Sequence, residues 1–289
     1  MEGERMDIKK IGIVGAGAMG SGIAQIAAQI GCTVVIQDVT DGFVKKGVAS
    51  IDKFMTKGIE RGKVTEEQKS EVLNRISGTT RIEDLKDADL VIEAVFEDLK
   101  LKQTVFEKID GLVAPEVILC TNTSSISITE IASATKRPEK VAGMHFFNPA
   151  QIMRLVEVIR GYHSSDDTVT TIIDLAKRMG KEPIEVKKDS PGFVVNRIMV
   201  PQFIEAIKIV EEGVATVEDV DKAVKLGLNY PLGPFELMDL TGNDIARDVM
   251  EYLHSELTRE LKFSPPNLLK TLIRGGRLGR KSKGGWYDY

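Results

Sequence analysis

The most constraining stretch of this chain runs from Lys10 to Asp38. A short apolar run, Lys10 to Val14, leads without interruption into Gly15-Ala16-Gly17-Ala18-Met19-Gly20. An apolar pattern of helical period follows through Ile23, Ile26, Ala27 and Ile30 and stops at Gly31. A second apolar run, Thr33 to Ile36, ends in Asp38. Strand, glycine turn, helix, strand and then an acid about twenty residues on is the order that suits a dinucleotide. The first glycine permits the tight turn, the second lets the backbone approach a pyrophosphate, and the third packs helix against strand. The helix N-terminus stabilises phosphate, and Asp38 can accept hydrogen bonds from ribose hydroxyls. A carboxylate there repels a 2′-phosphate, so NAD is favoured over NADP.

The rest of the first two-thirds repeats this alternation. From Gly42 to Ser77 the period is helical, and Gly58, Gly62 and Thr65 predict a helical hairpin broken near Arg61 to Val64. Its basic residues (Lys45, Lys46, Lys53, Lys57, Arg61 and Lys63) could meet an anionic ligand, though a charge-rich helical face is more often just solvated. Asp89 to Val95 reads as a strand, Leu99 to Val113 as a helix and Val117 to Thr121 as a strand. Asn122-Thr123-Ser124-Ser125 then falls past a strand's carboxyl end, where open α/β sheets bind ligands, and where turn chemistry would also select these residues. Asp166 to Met179 reads as a helix and Pro183 to Val186 as a last strand. Apolar strands separated by helices argue for a mostly parallel sheet covered on both faces.

His145-Phe146-Phe147-Asn148-Pro149 follows an apolar strand, Val141 to Met144, and a second strand, Leu155 to Ile159, carries Glu157. Pro149 supports a turn between them by fixing its own φ and excluding Asn148 from helix. On neighbouring strands a carboxylate bound to one ring nitrogen would leave the other as a base near neutral pH. A histidine capping a loop and a glutamate facing solvent fit the same residues.

Asp189-Ser190-Pro191-Gly192 breaks the pattern and sets a boundary, giving an α/β domain over 1–188 and a second domain over 189–289. Phe193 to Glu212, Val217 to Leu226 and Pro234 to Leu253 read as helices, so the second domain is all-α. At 289 residues the chain is long enough for two cores. Its net charge of −4 gives no electrostatic case for nucleic acid or an anionic membrane, and the basic tail from Arg274 does not reverse that. No apolar run approaches the ~20 residues of a membrane span. The charged start, Met1 to Lys10, lacks a signal peptide's apolar core. Cys32 and Cys120 lie in apolar surroundings and read as buried reduced thiols, which points to the cytoplasm, and no metal-ligand cluster is present.

With these residues in view, the chain resembles the NAD-dependent 3-hydroxyacyl-CoA dehydrogenases, of the short single-function type that includes bacterial 3-hydroxybutyryl-CoA dehydrogenases. The resemblance covers almost the whole length. It rests on the run from Gly15 to Gln25, Asn122-Thr123-Ser124-Ser125, His145-Phe146-Phe147-Asn148-Pro149, Pro191-Gly192-Phe193-Val194-Val195-Asn196-Arg197 and the terminal Gly-Trp-Tyr-Asp-Tyr. It implies a Rossmann-type domain with a helical hairpin insertion, followed by a helical domain that dimerises. It implies His145 as catalytic base, Glu157 as the acid that orients it, and Ser124 and Asn196 as hydrogen-bonding partners of the substrate's reacting oxygen. Asp38 matches the residue on the adenosine ribose, Glu97, Lys102 and Asn148 match further cofactor contacts, and Lys281 falls near the nucleotide. Lys57 is expected at the CoA end of the site, with Arg61 in place of a family lysine. The substrate would be an acyl-CoA held in a cleft between the domains, with domain closure on binding. The apolar residues Phe203, Ile204, Ile207, Ile209 and Val210 are expected to supply the dimer interface. His163 and His254 are assigned to surface or packing. Two other readings keep the scaffold: a dehydrogenase of free hydroxy acids or sugar acids, and a non-catalytic NAD-binding protein.

Overall fold

A computed structural model describes residues 7–289; the charged start over residues 1–6 lies outside the described residues. The chain divides into two compact units, Met1–Ser190 and Pro191–Tyr289. The division falls two residues beyond the expected boundary, and Asp189 belongs to the first unit. Its carboxylate accepts from the Ser127 hydroxyl at 2.6 Å and the Thr129 amide at 2.8 Å.

The first unit is built on an eight-stranded sheet. In chain order it contains β1 (Lys10–Val14), α1 (Ala18–Gln29), β2 (Thr33–Gln37), α2 (Asp41–Glu60), α3 (Glu66–Asn74) and β3 (Ile76–Thr79). It continues with β4 (Leu90–Glu93), α4 (Leu99–Asp110), β5 (Ile118–Thr121), α5 (Ile128–Ala132), β6 (Val141–Phe146), β7 (Leu155–Ile159), α6 (Asp166–Arg178) and β8 (Glu182–Val186). The spatial order is β3-β2-β1-β4-β5-β6-β7-β8, so the chain winds outward from β1 in one direction and from β4 in the other. The carboxyl ends of β1 and β4 are therefore the switch point at which such sheets bind ligands. All neighbours are parallel except β6 and β7.

The α2–α3 hairpin breaks where expected, and α3 starts with a reciprocal capping box between Thr65 and Gln68. The helical reading of Gly42 to Ser77 runs too far, because Ile76 and Ser77 open β3. That strand is a short, half-exposed edge with no alternation to reveal it. The strand expected to end at Met144 extends to Phe146, so His145 lies within β6 and not in the turn after it. The apolar residues of β1, β2 and β4 form one core with the inner face of α1 and with Val156, Val158 and Ile172.

The second unit is helical: α7 (Val195–Glu211), α8 (Val217–Gly227), α9 (Pro234–Thr241), α10 (Asn243–Glu256) and α11 (Asn267–Arg274). The single helix expected from Pro234 to Leu253 is two. Gly242, at φ 111°, sits between α9 and α10 in a conformation that side chains rarely adopt. A helical period continues across the break, which is why pattern alone misses it. Phe203, Ile204 and Ile207 are buried with Phe235, Met238, Met250 and Leu253 in this unit's own core, and Ile209 and Val210 pack against it. The first three therefore do not present the interface expected of them. Among the described residues no helix is long and apolar enough to cross a membrane.

Candidate active site

The glycine turn differs at each of its three glycines. Gly15 has φ 102°, and a Cβ there would lie 2.6 Å from the Ala94 carbonyl oxygen. At Gly20 a Cβ would fall within α1's approach to β1, 1.8 Å from the Gly15 oxygen. At Gly17 an added Cβ would meet nothing within 4 Å. Packing within the protein therefore requires glycine at 15 and 20, whereas at 17 the backbone adjoins open space. Gly17 is also the N-cap of α1 and provides no side-chain cap, so the amides that begin the helix at Ala18 and Met19 depend on other acceptors, which an anion suits. Asp38, just past β2, has a fixed carboxylate: one oxygen accepts from the Ala16 amide and the other from the Val39 amide, both at 2.7 Å. A helix start without a side-chain cap and a bare glycine at the switch point, with a positioned acid past the neighbouring strand, fit a dinucleotide.

Beyond β4 lies a buried ionic network. Glu93 at the strand's last position is fully buried and accepts from Lys102 at 2.8 Å, the Thr121 hydroxyl at 2.7 Å and the Val95 amide at 2.7 Å. Lys102 on α4 is 1% exposed and also lies 3.3 Å from Glu97. Glu97 in turn accepts from the Thr123 hydroxyl at 2.5 Å, the Ser124 amide at 2.9 Å, the Ser124 hydroxyl at 3.2 Å and the Ser125 amide at 3.2 Å. Burial raises the Glu97 carboxyl, but Lys102 and these donors outweigh it and hold the group below the usual carboxylate range. Lys102 is thus enclosed beneath the site, where it fixes Glu97, and Glu97 fixes the loop that carries Ser124. Glu93 and Thr121 were not singled out from sequence. The available signal is an acid ending an apolar strand, which burial must pair.

The antiparallel β6–β7 pair sets His145 directly across from Glu157. His145 is 6% exposed and Glu157 fully buried, with Nδ1 and Oε2 2.7 Å apart. A carboxylate can only accept, so Nδ1 carries the hydrogen and Nε2 is the nitrogen whose lone pair can take up a proton. The Phe147 ring lies 4.4 Å from the imidazole, centroid to centroid. The Asn122 side chain extends the β5–β6 pairing by accepting from the Phe146 amide at 2.9 Å, which steadies the strand beside His145. Asn148 is exposed in the loop that follows.

The structure thus brings the glycine turn, Asp38, Glu97, Lys102, Ser124, His145, Glu157 and Asn148 into one unit at the carboxyl side of one sheet. Lys57 and Arg61, one turn apart at the end of α2, are exposed. Asn196, in the first turn of α7, and Lys281 belong to the second unit. Lys281 is bound to Asp244 at 2.6 Å. His163 is exposed beside Tyr162, and His254 lies next to the Glu260 carbonyl at 3.1 Å. Cys32 and Cys120 are buried, and burial pushes both thiols up, Cys120 furthest.

Such a sheet, with its glycine turn and its buried histidine–glutamate pair, suits hydride transfer between a dinucleotide and an alcohol. The chain matches the family models for the 3-hydroxyacyl-CoA dehydrogenase NAD binding domain over residues 10–190 and the 3-hydroxyacyl-CoA dehydrogenase C-terminal domain over residues 192–289. It is 48% identical to a 3-hydroxybutyryl-CoA dehydrogenase of Clostridioides difficile, over 97% of this chain and 99% of that one. It is 41% identical to the mitochondrial hydroxyacyl-coenzyme A dehydrogenase of Rattus norvegicus, over 98% and 91%. Among solved structures, (S)-3-hydroxybutyryl-CoA dehydrogenase from Ralstonia eutropha superposes with a TM-score of 0.94 at 46% identity, covering 98% of this chain and 99% of the other. The chain belongs to the 3-hydroxyacyl-CoA dehydrogenase family.

Proposed function

We propose that this protein catalyses the reversible NAD-dependent oxidation of (S)-3-hydroxyacyl-CoA to 3-oxoacyl-CoA, with short chains such as 3-hydroxybutyryl-CoA as substrates. The observation that carries the reading is the buried 2.7 Å pairing of His145 with Glu157 on the dinucleotide-binding unit. The (S) stereochemistry and the short chain follow the names of the relatives from Ralstonia eutropha and Clostridioides difficile.

Bound NAD supplies the hydride acceptor. In this reading the Gly15 to Gly20 turn and Asp38 hold its pyrophosphate and adenosine ribose. Glu97, Ser124, Asn148 and Lys281 are its further contacts, and Lys102 acts through Glu97. His145 takes the substrate hydroxyl proton at Nε2 as the hydride departs, and returns it to the ketone oxygen in the reverse direction. Glu157 stabilises the imidazolium that this transfer creates. Ser124 and Asn196 hydrogen-bond the reacting oxygen, a kind of contact worth about 3 kcal/mol per donor lost in pre-organised sites. Lys57 and Arg61 meet the phosphates of the CoA carrier.

The enzyme would act in the cytoplasm as a homodimer through its helical unit. Exposed Ile198, Leu226 and Leu228 are better suited to an interface there than the core residues first expected. The test is NADH formation from (S)-3-hydroxybutyryl-CoA and from free 3-hydroxybutyrate. The CoA ester is expected to react and the free acid to be poor; equal rates, or none with the ester, would overturn the assignment.

A further inference from the structure

Outside the residues just assigned, one more lysine is buried among the described residues of the first unit. Lys181, between α6 and β8, is 7% exposed. Its ammonium donates to the Ala150 carbonyl at 2.5 Å and the Met153 carbonyl at 2.9 Å. Burial holds it below the usual lysine range, with no charged partner contributing. An ammonium removed from water without a carboxylate is costly unless its donors are well used. Both acceptors here are backbone carbonyls of a single turn. Ile152 and Met153 each donate their amide to the Pro149 carbonyl, so 149–153 forms one helix-like turn, and Lys181 sits at its carbonyl end, where a cation is favoured.

That turn is the connection between β6 and β7, the strands that carry His145 and Glu157. The turn is also held to α1: Gln151 Nε2 donates to Gln25 Oε1 at 3.2 Å, and Gln25 Nε2 donates to the Met55 sulfur on α2 at 3.1 Å. Gly22 of α1 leaves room for this contact, since a Cβ there would lie 2.9 Å from Gln151 Oε1 and 3.1 Å from Ala150 Cβ. Lys181 is itself anchored, its amide donating to Ala176 at 3.0 Å while the next amide, of Glu182, starts the pairing with Arg154 at 2.8 Å.

We propose that Lys181 is a positioning residue for catalysis: it staples the 147–154 connection, and so fixes Asn148 and the spacing of the His145–Glu157 pair relative to the cofactor helix. A buried apolar side chain of similar length would fill the same volume. What the ammonium adds is a direction for two carbonyls, and with it a single conformation for the turn. The proposal rests on the dehydrogenase reading of the same site.

The test compares wild type with Lys181→Met, which keeps the volume and removes the donors, and with Lys181→Gln, which keeps a donor for one carbonyl. Each is assayed with (S)-3-hydroxybutyryl-CoA and NAD, NADH affinity is followed by the fluorescence of the bound nucleotide, and Tm is measured alongside. For Lys181→Met, kcat is expected to fall about tenfold or more, because a misplaced reacting group is costly, and NADH to bind severalfold more weakly. The KM for the CoA ester is expected to stay within about twofold, and Lys181→Gln to recover part of kcat. Wild-type kcat and NADH affinity in folded Lys181→Met would overturn the proposal, as would a loss spread equally over kcat and both KM values. Should the Met variant fail to fold, the Gln variant is read by the same criteria. Absence of turnover in wild type would instead overturn the dehydrogenase reading.

Discussion

The glycine turn between β1 and α1 and the hairpin between β6 and β7 are two ways of building a site on one sheet. The turn works by omission: Gly17 keeps space open, Gly15 takes a φ other residues avoid, and Gly20 lets a helix start close to a strand. Its donors are backbone amides. The hairpin works by addition, burying an imidazole and a carboxylate of its own and receiving the Lys181 ammonium from the α6–β8 connection, each with a hydrogen-bonding partner. A site made of omissions is contiguous in sequence. One made of buried charges depends on partners distant in the chain, because each must be neutralised or hydrogen-bonded by whatever the fold brings to it.

Substitutions at the two places should fail differently. His145→Ala is expected to have the largest effect on rate, lowering kcat by about 10²–10⁴, while NADH affinity stays near wild type. Unchanged turnover would remove the histidine from the reaction. Within the turn, Gly20→Ala forces a methyl group against the Gly15 carbonyl and is expected to cost about 3 kcal/mol, read as a lowered Tm. Gly17→Ala should leave stability within about 1 kcal/mol of wild type but weaken NAD at least about tenfold, since its methyl group occupies only the ligand's space. Equal Tm losses in the two variants would erase the distinction drawn between these glycines. Asp38→Ser replaces the carboxylate that serves the Ala16 and Val39 amides with one shorter hydroxyl; NAD affinity is expected to drop about tenfold and the preference over NADP to narrow, measured by the ratio of kcat/KM values.

The smallest expected effect concerns acid. Glu97 is held below its ordinary pKa, so the stabilisation it provides is complete above about pH 4.3 and is lost as pH falls through the lower folded value. Hydrogen exchange at the Ser124 and Ser125 amides should lose protection in acid before the amides of β4 and β5 do. Protection that persists with that of the strands would show that Glu97 does not hold the loop.

Much of this architecture was legible from local pattern. The β1–α1–β2 unit and Asp38 follow from spacing alone, as does the break near Arg61. The β7 strand was read with the bounds it has, Leu155–Ile159. Edge strand β3 and the break at Gly242 were not legible, one because a half-exposed edge has no alternation, the other because α10 resumes a helical period. Lys102 shows the limit most clearly. The helical period of Leu99 to Val113 predicts the helix that carries it, yet only the packed structure sets its ammonium between Glu93 and Glu97.

By itself the sequence determined where backbone must bend, which faces must be buried, and that a dinucleotide could lie across the first turn, because these depend on residues within a few positions of one another. Tertiary structure alone decided which buried charge meets which partner. Antiparallel register puts Glu157 across from His145, and the turn between α6 and β8 puts Lys181 against their connection. The physical reason is that an ion's cost inside a protein is set by the atoms around it, and those come from anywhere in the chain.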